Sequence, residues 1–134
     1  MKILFTSILC TSILFLIIDA IWLTYAVKLF YRPNLGNLLN DKPVIWAAIL
    51  FYLVYFFCLS MIVIKPSLEK DSISYVFWLG LLFGVACYGT YNLTNMATIK
   101  NWSVNVVIVD MIWGGLLTGI TSSVGVILSK KIFF

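Results

Sequence analysis

Histidine is absent from the 134 residues. That removes imidazole acid–base catalysis, a Ser-His-Asp triad and His-ligated haem or zinc. Charge is scarce as well: 10% of residues are Asp, Glu, Lys or Arg, against roughly 25% in an ordinary soluble domain. The three cysteines, Cys10, Cys58 and Cys87, lie singly inside apolar runs. With no C-x-x-C pair they read as small buried hydrophobes, not as a metal or redox site. There is no glycine-rich phosphate loop and no metal-ligand set, so neither a metal nor a cofactor is expected. The net charge of +4 sits between apolar runs rather than in a basic stripe. A nucleic-acid partner is therefore not expected; the basic residues point to topology and contact with anionic lipid.

What is present is apolar. Hydrophobic residues make up 63% of the chain and aromatics 16%. A soluble domain of this length cannot bury so much apolar surface, whereas a bilayer solvates it. The expected fold is all-α, a four-transmembrane-helix bundle forming one integral membrane domain over the whole chain. Its spans are expected at about 3–25, 44–64, 73–95 and 104–128, each near the ~20 residues that cross a hydrocarbon core. Lys2 and the run Ile3 to Ile18 have the look of a signal peptide. No small-x-small cleavage site follows, so an uncleaved first span is expected.

Lys28 and Arg32 are expected to close the first span. The connection from Lys28 to Lys42 is either a loop with aromatic anchors or a short interfacial helix opened by Pro33. Asp41-Lys42-Pro43 reads as a helix start with a capping carboxylate. The second span is expected to stop at Lys65-Pro66, and the segment to Ser72 to be a solvated turn. Its aromatics, Tyr52 among them, read as lipid-facing or core side chains. In the third span Gly80-x-x-x-Gly84 allows close helix approach. The fourth repeats Gly115, Gly119 and Ser123, with Gly114, Thr118 and Ser122 beside them. That smooth face places it at the bundle centre, against the third or the first span.

Four spans put both termini on one side, with Lys2, Lys65, Lys70, Lys130 and Lys131. Lys28, Arg32, Lys42 and Lys100 fall on the other. The excess of one basic residue directs the termini to the cytoplasm by the positive-inside rule.

Polar residues inside apolar spans need a reason, since an aspartate at a helix centre costs about 2.5–3.5 kcal/mol on insertion scales. Asp19 and Asp110 each open the same spacing, Asp19-Ala20-Ile21-Trp22 and Asp110-Met111-Ile112-Trp113. Positions i and i+3 share a helix face, so each carboxylate is paired with a tryptophan. The antiparallel topology sets the two tetrads at similar depth. Tyr88, Tyr91, Asn92 and Asn95 follow three- and four-residue steps at the same end of the third span, forming a polar stripe. The candidate ligand-binding set is therefore Asp19, Trp22, Tyr88, Tyr91, Asn92, Asn95, Asp110 and Trp113, with no catalytic residue assigned.

The run Tyr88-Gly89-Thr90-Tyr91-Asn92-Leu93-Thr94-Asn95, then Trp102, then Asp110-Met111-Ile112-Trp113-Gly114, resembles a family of small bacterial membrane proteins catalogued as domain of unknown function 2177. Asp19-Ala20-Ile21-Trp22 is similar to that family's first span. The resemblance covers nearly the whole chain and implies a four-span inner-membrane protein in bacteria; it brings no activity with it. The chain departs from the family at Asn92, where an acidic residue is expected after Tyr91. That position then serves to hydrogen-bond rather than to carry charge.

Three readings of the polar cluster stand side by side. In one it binds or transports a small molecule, a lipid or a proton; transport would call for a homodimer, because four spans leave little room for a path. In another it packs helices or docks the chain to a larger membrane complex. The last, an intramembrane enzyme using the carboxylates as acid and base, is disfavoured: the Gly-x-Gly-Asp pattern of intramembrane aspartyl proteases is missing, Asp110 following Ile108-Val109.

Overall fold

The small residues repeated along the last apolar stretch decide which helix becomes the centre. In the computed structural model, which describes residues 1–133, four helices are each long and apolar enough to cross a membrane. They are α1 (Lys2–Leu38), α2 (Ile45–Lys70), α3 (Ile73–Thr98) and α4 (Val104–Phe133). No strand occurs among the described residues. Helix α4 lies between α3 and α1, touching both along its length.

Glycine makes that approach possible. A Cβ at Gly84 would stand 2.2 Å from the Gly114 carbonyl oxygen, and one at Gly119 would stand 2.9 Å from that of Phe77. On the other side a Cβ at Gly125 would lie 2.8 Å from the Thr11 backbone nitrogen. Backbones this close gain van der Waals contact, the main attraction available where lipid is as apolar as the helices. Hydroxyls along the seam turn back on their own helix: Thr118 donates to Gly114 O at 2.7 Å and Ser123 to Gly119 O at 2.8 Å. Cross-helix hydroxyl pairs are Tyr55 with Thr118, 2.6 Å, and Ser7 with Ser129, 2.5 Å.

Helix α2 packs through one face. It buries Tyr55, Leu59, Val63 and Ile64 around Phe15 and leaves Ile45, Trp46, Ile49, Leu53 and Phe57 exposed. That apolar outer face is what a bilayer solvates.

Two sequence-derived boundaries are corrected, and by one cause. The first helix does not end near Tyr25; it passes through a π-helical turn, Val27–Tyr31, and continues to Leu38. The second does not stop at Lys65-Pro66; a π turn at Ser60–Ile64 carries it to Lys70. Both turns lie just ahead of a proline, Pro33 or Pro66. A proline ring presses on the carbonyl four residues back, here Leu29 or Ile62, and each of these falls inside the widened turn. Widening lets the helix run past a residue that ordinarily ends it.

Asp41 is also corrected: α2 starts at Ile45 behind Val44, which gives no side-chain cap. The Asp41 carboxylate is fully exposed, 4.0 Å from Arg32. Ser72 instead caps α3, accepting from the Tyr75 N–H at 3.3 Å. Asp71, left-handed at φ 49°, ends α2.

From Lys2 to Leu35, where Gly36 at φ 52° breaks the helical path, α1 is about 50 Å long at 1.5 Å per residue, well over a ~30 Å hydrocarbon core. Its last turns lean over the start of α4, where Ser103 donates to Asn34 Oδ1 at 3.2 Å. This overhang brings α1 side chains back across the end of the bundle.

Candidate functional site

Each carboxylate accepts hydrogen bonds from two helices other than its own, or from a distant part of the chain. Asp19, on α1, takes the Tyr52 hydroxyl of α2 on Oδ2 at 2.6 Å and the Trp113 indole N–H of α4 on Oδ1 at 3.3 Å. Asp110, on α4, takes the Tyr31 hydroxyl of α1 on Oδ1 and the Asn92 amide of α3 on Oδ2, the latter at 3.1 Å. Trp22 donates to the Tyr31 oxygen at 3.2 Å. The indoles of Trp22 and Trp113 stack, centroids 4.2 Å apart and 15° from parallel.

The two Asp-x-x-Trp tetrads are thus cross-wired. Trp113 serves the carboxylate of the other tetrad directly, and Trp22 serves Asp110 through Tyr31. All four helices contribute, so the network exists only when the whole bundle is assembled. Hydrogen bonds to charged groups contribute on the order of 1.5–3 kcal/mol each. Two per carboxylate is enough to offset the insertion cost of each aspartate.

The network borders a cavity of about 500 Å³. Asp19 and Asp110 line it with Trp22, Trp113, Tyr31 and Tyr52, and Tyr88, Tyr91 and Trp102 complete an aromatic wall. No Lys or Arg lines it. Ion pairs among the described residues lie elsewhere: Arg32 with Asp41 and Lys130 with Asp71. The Trp102 indole N–H is buried with no hydrogen-bond partner in the protein. Gly114 is what lets Tyr88 sit here, for a Cβ on it would fall 2.2 Å from the Tyr88 ring. No group of three His, Cys, Asp or Glu able to hold a metal occurs among the described residues.

Of the residues expected from sequence, the structure brings Asp19, Trp22, Tyr88, Tyr91, Asp110 and Trp113 to the cavity. Asn92 is fully buried and hydrogen-bonds Asp110. An amide donates there without needing a proton, as an acid would. Asn95 is half-buried and does not line the cavity.

Tyr31 and Tyr52 were not legible as site residues. Tyr31 lies nine residues after Trp22, half a turn off that face at about 100° per residue in an unbroken α-helix. The π turn between them brings it round. Tyr52 sits in an aromatic run, and nothing local distinguishes it from the exposed Phe51 beside it.

No curated protein and no solved structure matches the chain. The family described as predicted membrane protein (DUF2177) matches it over residues 4–127. That span holds both Asp-x-x-Trp tetrads, most of each of the four helices and every residue that lines the cavity, and the chain belongs to this family of membrane proteins.

Proposed function

We propose that this chain is a multi-pass protein of the bacterial inner membrane, termini in the cytoplasm, that binds or transports a small ligand or proton at the Asp19/Asp110 cluster. The observation that carries this is a cavity bordered by two carboxylates and no cationic side chain. A pair of acids held only by neutral donors is poised for something that neutralises them. Concave, mostly apolar cavities with a few converging polar groups are the usual form of a small-molecule site. A bundle needing only glue has no use for the open volume.

The test uses purified protein and the variants Asp19→Asn and Asp110→Asn. Thermal melting is followed across a small-molecule panel, and proton flux is followed in vesicles. The expected result is ligand-dependent stabilisation or flux in wild type that both variants lose. Variants that fold and respond as wild type does in both assays would refute the reading.

One observation favours a structural role instead: all four carboxylate oxygens already have a donor within the protein. On that reading both substitutions lower the melting temperature, and no compound in the panel shifts it.

A further inference from the structure

The geometry points to a monovalent organic cation as the guest: an alkylated ammonium or phosphonium with an apolar or aromatic body, seated between Asp19 and Asp110 against the Trp22–Trp113 stack. This rests on the ligand-binding reading above and names the chemistry of the ligand.

Charge comes first. Every partner of the two carboxylates is neutral: Tyr52 and Trp113 on Asp19, Tyr31 and Asn92 on Asp110. An ionised carboxylate has about four lone-pair sites. With two donors on each acid, capacity remains on both for a further contact. An anionic or zwitterionic phosphate guest would bring negative charge to two acids with no Lys or Arg on the wall to receive it.

The walls come next. A bare metal ion or an inorganic monovalent cation needs a shell of oxygens to replace its water. This cavity is lined by aromatic side chains instead, among them Trp22, Trp113, Tyr88, Tyr91 and Trp102. Aromatic faces attract a cation whose charge is shielded by alkyl groups, worth about 0.5–2 kcal/mol per well-placed ring, more when dry. The volume of about 500 Å³ lies within the ~300–1,000 Å³ typical of sites for organic molecules. The buried, unpartnered Trp102 N–H offers one further contact to an acceptor on the guest.

Access fits a lipophilic guest. The Trp22–Trp113 pair also borders a second, open groove of about 410 Å³, lined by Ile18, Ile21, Tyr25, Leu29 and Phe30 on the outer side of α1. The stack is therefore a partition between an apolar outer groove and the acidic cavity.

The test is a charge series on the full-length protein in detergent. The probes are tetraphenylphosphonium, the isosteric anion tetraphenylborate and the neutral tetraphenylmethane, read by tryptophan fluorescence and thermal melting. Saturable binding of the phosphonium at least tenfold tighter than the other two is expected, with at least tenfold loss in Asp19→Asn and Asp110→Asn. Addition of a phosphocholine-headed lipid is expected to leave that binding unchanged; displacement by it would transfer the site to a lipid headgroup and overturn the proposal. Equal binding of all three probes would overturn it too, by showing an apolar cavity indifferent to charge. The charge series is read on wild type alone, so it holds even if a variant fails to fold. If neutral or anionic panel compounds bind in a carboxylate-dependent way while the phosphonium does not, the cation inference falls and the ligand-binding reading survives. If no compound of any charge binds and no proton flux is seen, both fall.

Discussion

Alanine at Gly84 tests whether the seam between α3 and α4 holds the site together. The added Cβ meets the Gly114 carbonyl oxygen at 2.2 Å, its carbon at 2.7 Å and Thr118 Oγ1 at 2.8 Å. Two of these are backbone atoms and cannot rotate aside. Reaching the 3.4 Å of ordinary contact means opening the seam by about 1.2 Å, the difference from 2.2 Å. Overpacking of a close-packed interface costs about 1–3 kcal/mol, sometimes more. Alanine's better helix propensity returns up to ~1 kcal/mol, leaving a net loss of about 0–2 kcal/mol, but a control that gains the same propensity without the clash still differs from it by the full overpacking cost, about 1–3 kcal/mol.

Gly89→Ala is the control. It lies on the same helix and makes the same chemical change, but the nearest atoms its Cβ meets belong to the flexible Met111 side chain, the methyl at 3.0 Å. It is expected to be neutral or slightly stabilising. Equilibrium unfolding in mixed detergent–SDS micelles, followed by circular dichroism, measures both. Since about 1.4 kcal/mol is tenfold in an equilibrium constant, Gly84→Ala is expected to unfold roughly ten- to a hundredfold more readily than Gly89→Ala. Equal midpoints for the two variants would refute the argument that backbone contact, not glycine as such, holds α3 on α4.

Tyr31→Phe removes a donor from Asp110 and leaves the Trp22 N–H without its acceptor; a loss of about 1–3 kcal/mol is expected in the same titration, and an unchanged midpoint would show that the Tyr31 hydroxyl contributes nothing. At the opposite end of the bundle, Lys130 holds the Asp71 carboxyl below its ordinary 3.8 by hydrogen bonding and charge. The sign follows from the depressed value: whatever stability the pair gives is complete above about pH 4 and is lost as pH falls through the folded value. Asp71 is fully exposed, so Asp71→Asn is expected to alter the melting temperature only slightly at neutral pH, less in high salt, and not at all at low pH. A large salt-independent effect would contradict this.

Long apolar runs, a carboxylate inside two of them and small residues at four-residue spacing are properties of local sequence. They determine by themselves that the chain forms membrane-length helices, that α4 offers the smooth face, and that Asp19 and Asp110 each share a helix face with a tryptophan. Periodicity suffices because an α-helix repeats the same geometry at each turn. Where the helices end was another matter. Pro33 and Pro66 are strong local stop signals, yet each helix runs past its proline through a π turn. The same overhang of α1 set Tyr31 on Asp110. Tyr52 reached Asp19 because α2 lies against α1 at that height, a relation between elements 33 residues apart that no spacing rule encodes. The cross-wiring of the two tetrads, the stacked indoles and the cavity bordered by acids without a cation belong wholly to the tertiary structure. They arise from how one helix is turned and shifted against another, and only the packed interface between them sets that rotation and depth.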